Sequence, residues 1–270
     1  MATYLTKGAN LMRTPSVQCS DISVNIGNRT ILDKVNIEFY PNEFTVFLGP
    51  NGTGKSTLLK TLSNEISYTG QHFLFGKPTQ DWDKKSLAKQ FGVLPQSSSL
   101  TFNFTAQEVV ELGGLTLPGG QKEISRIAKE KMNLTGVLPL AERLYPSLSG
   151  GEKQRVHFAR VLTQLDSVKH NKVLFLDEPT SALDLSHQHN TLKLAKEQAD
   201  SGACVVAVLH DLNLAAQYAD RIVVLNQGNI VADGTPWEVL NSQTIEEVYR
   251  WKTQIVPHPT QQHPVILSAA

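Results

Sequence analysis

The chain has 270 residues, with 25 Lys and Arg against 25 Asp and Glu, so its formal net charge at pH 7 is zero. This balance gives no support to a nucleic-acid binder that relies on bulk positive charge. No apolar run reaches the ~18–20 residues of a membrane helix, and we expect residues 1–15 to form a polar leader rather than a signal peptide.

Apolar runs along the chain predict an α/β fold with a mostly parallel core sheet. Two alternating runs, at 22–26 and 35–40, predict an antiparallel β subdomain near the N-terminus. Four later runs are continuous, as in strands buried on both faces. These runs span 44–48, 172–177, 203–209 and 221–226.

The middle of the chain lacks strand patterns and predicts an inserted α-helical subdomain. Thr105 and Glu108 form a capping box before a helix that we expect the following glycines to end. A second helix is predicted over 122–132, and a third after Ser149 with one apolar face, formed by Phe158, Val161, Leu162 and Leu165. We predict a core domain in two segments, about 16–96 and 166–256, with the helical insertion at about 97–165 between them. Residues 257–270 are predicted to form a C-terminal tail.

The start of that third helix, LSGGEKQR, contains an unexplained pair of glycines. Ser149 and Glu152 predict a capping box. Gly150 and Gly151 fill the first turn, where each costs about 0.8–1 kcal/mol relative to alanine. A tolerated surface turn is one interpretation. The other is that another group approaches this backbone closely, and that local structure does not require the glycines.

A phosphate-binding loop is predicted in the segment GPNGTGKST, which matches G-x-x-x-x-G-K-[ST] between a predicted strand and a predicted helix. Backbone N–H groups of such a loop bind phosphate at a helix N-terminus. Lys55 would reach the β- and γ-phosphates of a nucleoside triphosphate, and the Ser56 hydroxyl would bind Mg²⁺. The predicted nucleotide-binding residues are Gly49, Pro50, Asn51, Gly52, Thr53, Gly54, Lys55, Ser56 and Thr57.

Two carboxylates come directly after the predicted strand in VLFLDEPT. Charged groups at a strand end are costly to bury without a cation or hydrogen-bond partners, and ligands of α/β sheets bind at this edge. We expect Asp177 to hold Mg²⁺ and Glu178 to accept a proton from the attacking water as a general base. The alternative is that two acidic residues simply begin a loop.

In this order, GPNGTGKST, LSGGE and VLFLDEPT resemble the ATP-binding cassette (ABC) ATPases, a family of P-loop NTPases. LSGGE is similar to that family's own signature. Gln96, Asp184 and His210 match its Q-loop, D-loop and switch histidine. The resemblance covers residues 16–256 and implies an ATPase that uses ATP and Mg²⁺.

The resemblance also implies a head-to-tail dimer, in which the signature of one chain completes the phosphate loop of the other. Gln96 would sense Mg²⁺ and the attacking water, and His210 would contact the γ-phosphate, beside the catalytic Glu178. The signature residues are Leu148, Ser149, Gly150, Gly151 and Glu152.

One position departs from the family pattern. Members usually stack an aromatic side chain on adenine at the position where this chain has Ile26. We therefore expect weaker stacking, for which Phe39 or Tyr40 could substitute.

With a single cassette, the chain resembles the importer branch for iron chelates, vitamin B12 and haem, and most of all the haem (hemin) importers. The segments 174–188, 209–240 and 256–267 carry this likeness. It implies a peripheral subunit on the cytoplasmic face of the bacterial inner membrane. Its partners would be a second copy, two transmembrane permease subunits and, indirectly, a periplasmic binding protein, with no nucleic acid expected. Ferric-siderophore or vitamin B12 import, and a soluble ABC ATPase outside transport, are the alternatives.

Overall fold

The computed structural model describes residues 13–96 and 103–269. Most of the predicted leader and the first residues of the predicted insertion lie outside these ranges. The strands are β1 Val17–Ile26, β2 Arg29–Phe39, β3 Glu43–Leu48, β4 Thr69–Leu74, β5 Lys77–Pro78, β6 Phe91–Leu94, β7 Val173–Asp177, β8 Cys204–Val208, β9 Arg221–Asn226, β10 Asn229–Gly234, β11 Thr253–Pro257 and β12 Pro264–Ser268. The helices are α1 Lys55–Leu62, α2 Lys84–Gln90, α3 Ala106–Glu111, α4 Gln121–Leu134, α5 Gly150–Gln164, α6 Leu185–Asp200, α7 Leu212–Tyr218, α8 Pro236–Val239 and α9 Ser242–Tyr249.

The core is a six-stranded sheet in the order β10-β9-β3-β8-β7-β6. β9, β3, β8, β7 and β6 are parallel, and β10 is antiparallel to β9. All four continuous apolar runs form strands here, because successive side chains enter the two buried layers on opposite faces of the sheet. The prediction of a mostly parallel core sheet is therefore confirmed.

An antiparallel sheet in the order β2-β1-β4-β5 covers one face of the core sheet. Its inward side chains, among them Val17, Ile22 and Phe39, are fully buried in the same layer as Phe47 and Phe175 of the core sheet. The antiparallel N-terminal subdomain is thus confirmed, and it brings the start of β2 to the side of the phosphate loop.

In the described part of the insertion, the α-helices are α3, α4 and α5. The helix after Thr105 does not end at glycine as expected. It continues as a 3₁₀ turn over Leu112–Thr116. A Cβ atom on Gly113 would lie 2.1 Å from the carbonyl oxygen of Arg160, so this glycine packs helix against helix instead of stopping one.

The helix α5 joins the insertion to the core. The four residues of its predicted apolar face pack in the layer against the core sheet, whereas Val156 and Ala159 pack with α3 and α4. Movement of the insertion therefore has to carry or bend this helix.

The described residues of the predicted tail belong to a C-terminal hairpin. The boundary at 256/257 falls inside β11, which pairs with β12. The Asn213 side chain bonds both backbone groups of Ile266 at 2.8 and 3.2 Å, which fixes the hairpin to α7. In the described ranges, no helix has the length and apolar character that crossing a membrane requires.

Candidate active site

The site lies at the carboxyl edge of the core sheet. Since β3, β6, β7 and β8 run in parallel, the residues just after them meet at one edge. The predicted phosphate loop follows β3, Gln96 follows β6, Glu178 follows β7 and His210 follows β8. The topology therefore collects residues that are far apart in sequence.

The phosphate loop leads from β3 into the N-terminus of α1. Gly49 has φ 139°, and a Cβ atom there would lie 2.1 Å from the carbonyl oxygen of Leu225, so only glycine fits. The Lys55 ammonium donates hydrogen bonds to the carbonyl oxygens of Gly49 (2.7 Å) and Pro50 (2.8 Å). The loop is thus wrapped around a lysine whose pKa is lowered by burial.

Asp177 and Ser56 meet beneath this loop. The Ser56 hydroxyl donates to Oδ1 of Asp177 at 2.9 Å. Asp177 is only 2% exposed, and burial raises the pKa of its carboxyl group. A buried carboxylate beside a hydroxyl oxygen is the kind of hard oxygen pair that Mg²⁺ takes together with substrate phosphates. These two residues therefore fit the predicted metal role.

Glu178 is held at its carboxylate by two other predicted residues. Gln96 donates from Nε2 to Oε2 at 2.9 Å, and His210 Nε2 lies 2.8 Å from Oε1. The Gln96 amide is thus engaged with Glu178, and no described hydrogen bond joins it to the Ser56–Asp177 pair. Glu178 itself has φ 50°, a left-handed conformation that is uncommon outside glycine and concentrates at functional sites.

A cavity of about 530 Å³ opens above the phosphate loop. Its walls include most of the loop together with Gln96, Glu178 and His210. The signature residues 148–152 do not line it within the described part of the chain. The structure therefore brings the sheet-edge residues together and leaves the signature elsewhere on the same chain.

The signature begins α5 as predicted. Ser149 and Glu152 form both hydrogen bonds of a capping box, and Ser149 and Gly150 are exposed. A Cβ atom on Gly151 would lie 2.6 Å from the carbonyl oxygen of Ala182, whereas one on Gly150 would have no neighbour closer than 3.9 Å. Neither glycine is thus required by the local structure of the helix start, but long-range packing within the chain requires Gly151 and leaves Gly150 open.

Asp184, the predicted D-loop residue, begins α6 outside the cavity. Its side chain accepts hydrogen bonds from the His187 backbone N–H and ring, which lower the pKa of Asp184 to about 2. The residue is exposed on the segment that Gly151 contacts.

The adenine side of the site differs from what the sequence suggested. Ile26 is 60% exposed and does not line the cavity. Phe39 is fully buried against Phe47, and Tyr40 is hydrogen-bonded to Glu38 in a separate surface depression. Neither aromatic residue can therefore substitute for a stacking side chain in this conformation.

Sequence reasoning missed three residues around the site. Arg29 and Ile31 line the cavity from the start of β2. Gln154 donates from Nε2 to the carbonyl oxygen of Glu178 at 2.9 Å. The sequence held no clear signal for Gln154, because the buried side of α5 contains other polar residues, His157 and Thr163. The sequence around Arg29 contained no signal that would have placed this residue at the site.

Known proteins share both this sequence and this fold. The ABC transporter family model matches residues 32–181. The hemin import ATP-binding protein HmuV of Photobacterium profundum is 55% identical over 94% of this chain and 91% of its own length. HmuV of Vibrio cholerae is 54% identical over 96% of this chain and 100% of its own length.

Among solved structures, a dimeric ATP-binding cassette in a post-hydrolysis state with ADP and Pi superposes with a TM-score of 0.71. It is 29% identical to this chain, and the match covers 81% of this chain and 98% of that structure's chain. A nucleotide-free cassette of an ABC transporter shares the fold alone, being 20% identical with a TM-score of 0.70 over 87% of this chain and 95% of its own. The chain therefore belongs to the ABC transporter family and contains its ATPase domain.

Proposed function

We propose that this chain is the ATP-hydrolysing, energy-coupling subunit of a bacterial haem importer. The observation that carries the proposal is the meeting of Lys55, Glu178 and His210 around one cavity at the sheet edge. Asp177 joins this group through its hydrogen bond with Ser56, which lines the same cavity. The names of the HmuV relatives support hemin as the transported substrate.

The phosphate loop binds the triphosphate with its backbone N–H groups and with Lys55, which exchanges its loop carbonyl partners for phosphate oxygens. Glu178 takes a proton from the attacking water after its carboxylate leaves His210 and Gln96. His210, released from Glu178, is then free to contact the γ-phosphate. Ser56 and Asp177 would hold Mg²⁺, which neutralises phosphate charge when bound.

A second copy supplies what the cavity lacks. The exposed start of α5, with the open backbone at Gly150, provides N–H groups for the γ-phosphate bound by the facing chain. Closure of the head-to-tail dimer around ATP, and its release after hydrolysis, would drive two transmembrane permease subunits. The chain would act at the cytoplasmic face of the inner membrane, and a periplasmic binding protein would deliver haem to the permease.

The Glu178→Gln variant tests the ATPase mechanism. It retains the phosphate loop and loses the general base, so we expect normal ATP binding, turnover reduced by at least about 100-fold and a dimer trapped by ATP-Mg²⁺. Turnover by purified protein and sedimentation with and without ATP measure both effects. Normal hydrolysis by this variant would refute the assignment of Glu178.

Growth tests the transported substrate. A strain that lacks this gene should fail to use hemin as its iron source and should keep ferric-siderophore and vitamin B12 uptake. The wild-type gene should restore growth on hemin, and Glu178→Gln should not. If the strain instead loses siderophore or vitamin B12 uptake, that compound and not haem would be assigned as the transported substrate.

A further inference from the structure

The backbone of Glu178 is tied to the signature helix of the same chain. Gln154 lies one turn after the Ser149 cap and is 9% exposed. Its Nε2 donates to the Glu178 carbonyl oxygen at 2.9 Å, and in the described ranges its Oε1 has no partner. The one described hydrogen bond of this buried side chain is therefore made to the residue proposed as general base.

That hydrogen bond stabilises an unfavourable backbone. Glu178 has φ 50°, and a non-glycine residue holds such a conformation only when its surroundings impose it. The same carbonyl oxygen also accepts from the Ser181 backbone N–H (3.3 Å) and hydroxyl (3.1 Å). Ser181 belongs to the loop itself, so among the described hydrogen bonds of this carbonyl oxygen the one from Gln154 ties it to another element.

A second contact joins the same two elements. Gly151, in the first turn of α5, packs against the backbone of Ala182, where a Cβ atom would lie 2.6 Å from the carbonyl oxygen. The start of α5 thus touches the segment 178–182 through a side chain and through its backbone. A shift of this helix start would therefore act directly on the backbone of Glu178 and Ala182.

We propose that Gln154 is a positioning residue for Glu178 and couples the signature helix of each chain to the general base of that chain. Phosphate that binds the start of α5 lies in the facing chain's site, so the hydrogen bond links one site to the other. The inference rests on the proposed function, since it requires Glu178 to act as the base.

The Gln154→Met variant tests the proposal, because methionine keeps the volume and removes the donor. We expect kcat to fall about 10–100-fold, as for a misplaced catalytic group, with KM and ATP affinity within about twofold because the phosphate loop is untouched. Gln164→Met is the matched control. Gln164 lies on the same helix and donates to the carbonyl oxygens of Ala88 (2.7 Å) and Phe91 (3.1 Å), away from Glu178.

A pH profile separates positioning from packing. In Gln154→Glu, an ionised carboxylate would face the Glu178 carbonyl oxygen and donate nothing, whereas its protonated form donates an O–H. Position 154 is buried, and burial raises the pKa of a carboxyl group, so the kcat of this variant relative to wild type should rise as pH falls from 8 to 6. Gln154→Met should show no such recovery.

Wild-type kcat in Gln154→Met, or an equal loss in Gln164→Met with a matching fall in Tm, would overturn the inference. If Glu178→Gln still abolishes turnover in that case, the proposed function stands without it. Normal turnover by Glu178→Gln would instead remove the proposed function, whatever Gln154→Met does.

Discussion

Two helix starts in the insertion, those of α3 and α5, use the same capping device and differ in the residues of their first turn. The backbone N–H of Thr105 donates to Glu108 at 2.7 Å, and that of Ser149 donates to Glu152 at 2.7 Å. The return bonds, to the hydroxyls of Thr105 and Ser149, measure 3.2 and 3.3 Å. The first turn of α3 contains alanine and glutamine, whereas that of α5 contains two glycines.

A capping box without glycine is thus sufficient to begin a helix in this insertion. The glycines of α5 therefore need another explanation, and the two need different ones. Gly151 is required by the carbonyl oxygen of Ala182 within the chain. Gly150 is exposed and open, which suits a group arriving from outside.

The largest expected effect comes from the cap of α5. Ser149→Arg places a long cation where the proposed phosphate of the facing chain binds, so turnover should be abolished while ATP still binds the phosphate loop. Turnover and equilibrium ATP binding measure the two effects. Normal hydrolysis by this variant would show that the start of α5 is only a helix cap and does not bind the phosphate of the facing chain.

Alanine at the two caps provides the control. Ser149→Ala and Thr105→Ala each lose a cap, which costs about 1 kcal/mol of stability, and should lower Tm alike. Only Ser149→Ala should also lower turnover. Equal turnover losses in both variants would attribute the effect of Ser149 to stability alone.

The Asp177→Asn variant contrasts the buried carboxylate at the sheet edge with the glutamate carboxylates of the two caps. Hydrogen bonds from the helix backbone lower the pKa of Glu108 and Glu152, whereas burial raises that of Asp177. Removing this buried charge should raise the Tm of nucleotide-free protein by a few degrees at pH 7. It should also reduce turnover by at least about 100-fold, because the proposed metal ligand is lost.

The raised pKa of Asp177 determines how the Tm difference between Asp177→Asn and wild type changes with pH. Asp177 ionises at lower pH in the unfolded chain, at about 3.9, so its ionisation opposes folding once pH exceeds that value. The Tm advantage of Asp177→Asn should therefore be full at neutral pH and vanish below about pH 4. An advantage that persists in acid would have another cause.

Alanine at the two glycines should separate stability from turnover. Gly150→Ala should raise Tm, since alanine is favoured over glycine in a helix by up to about 1 kcal/mol, and yet lower turnover by crowding the facing phosphate. Gly151→Ala should lower both, because its methyl group meets the Ala182 carbonyl oxygen. Unchanged turnover in Gly150→Ala would contradict the role of the open backbone.

The two glycines also mark how far the sequence leads. Apolar runs predict the core sheet, and Ser149 with Glu152 predicts the start of α5, because both signals are local. The contact of Gly151 with Ala182 and the hydrogen bond of Gln154 to Glu178 join segments that meet only after α5 packs on the sheet. Likewise, burial of Phe39 and the position of Arg29 depend on how the antiparallel sheet lies on the core.

The smallest effect is expected at the acidic partners of the two caps. Glutamine can replace glutamate in a capping box, so Glu108→Gln and Glu152→Gln should keep turnover within about twofold. The folded-state pKa of both glutamates is lowered, first by the backbone N–H groups of Thr105 and Ser149. Their charge therefore adds stability above the unfolded-state pKa of about 4.3 and ceases to do so as pH falls through the folded-state value.

The double variant Glu108→Gln/Glu152→Gln should consequently lie slightly below wild type in Tm at pH 7 and lose less Tm than wild type between pH 5 and pH 3. Melting curves across that range test the expectation. Parallel curves would show that the carboxylates act only as hydrogen-bond acceptors. A much larger loss of turnover in Glu152→Gln than in Glu108→Gln would show that the charge at α5 serves the site as well as the helix, and the two caps would then differ in their acidic residues as they do in their glycines.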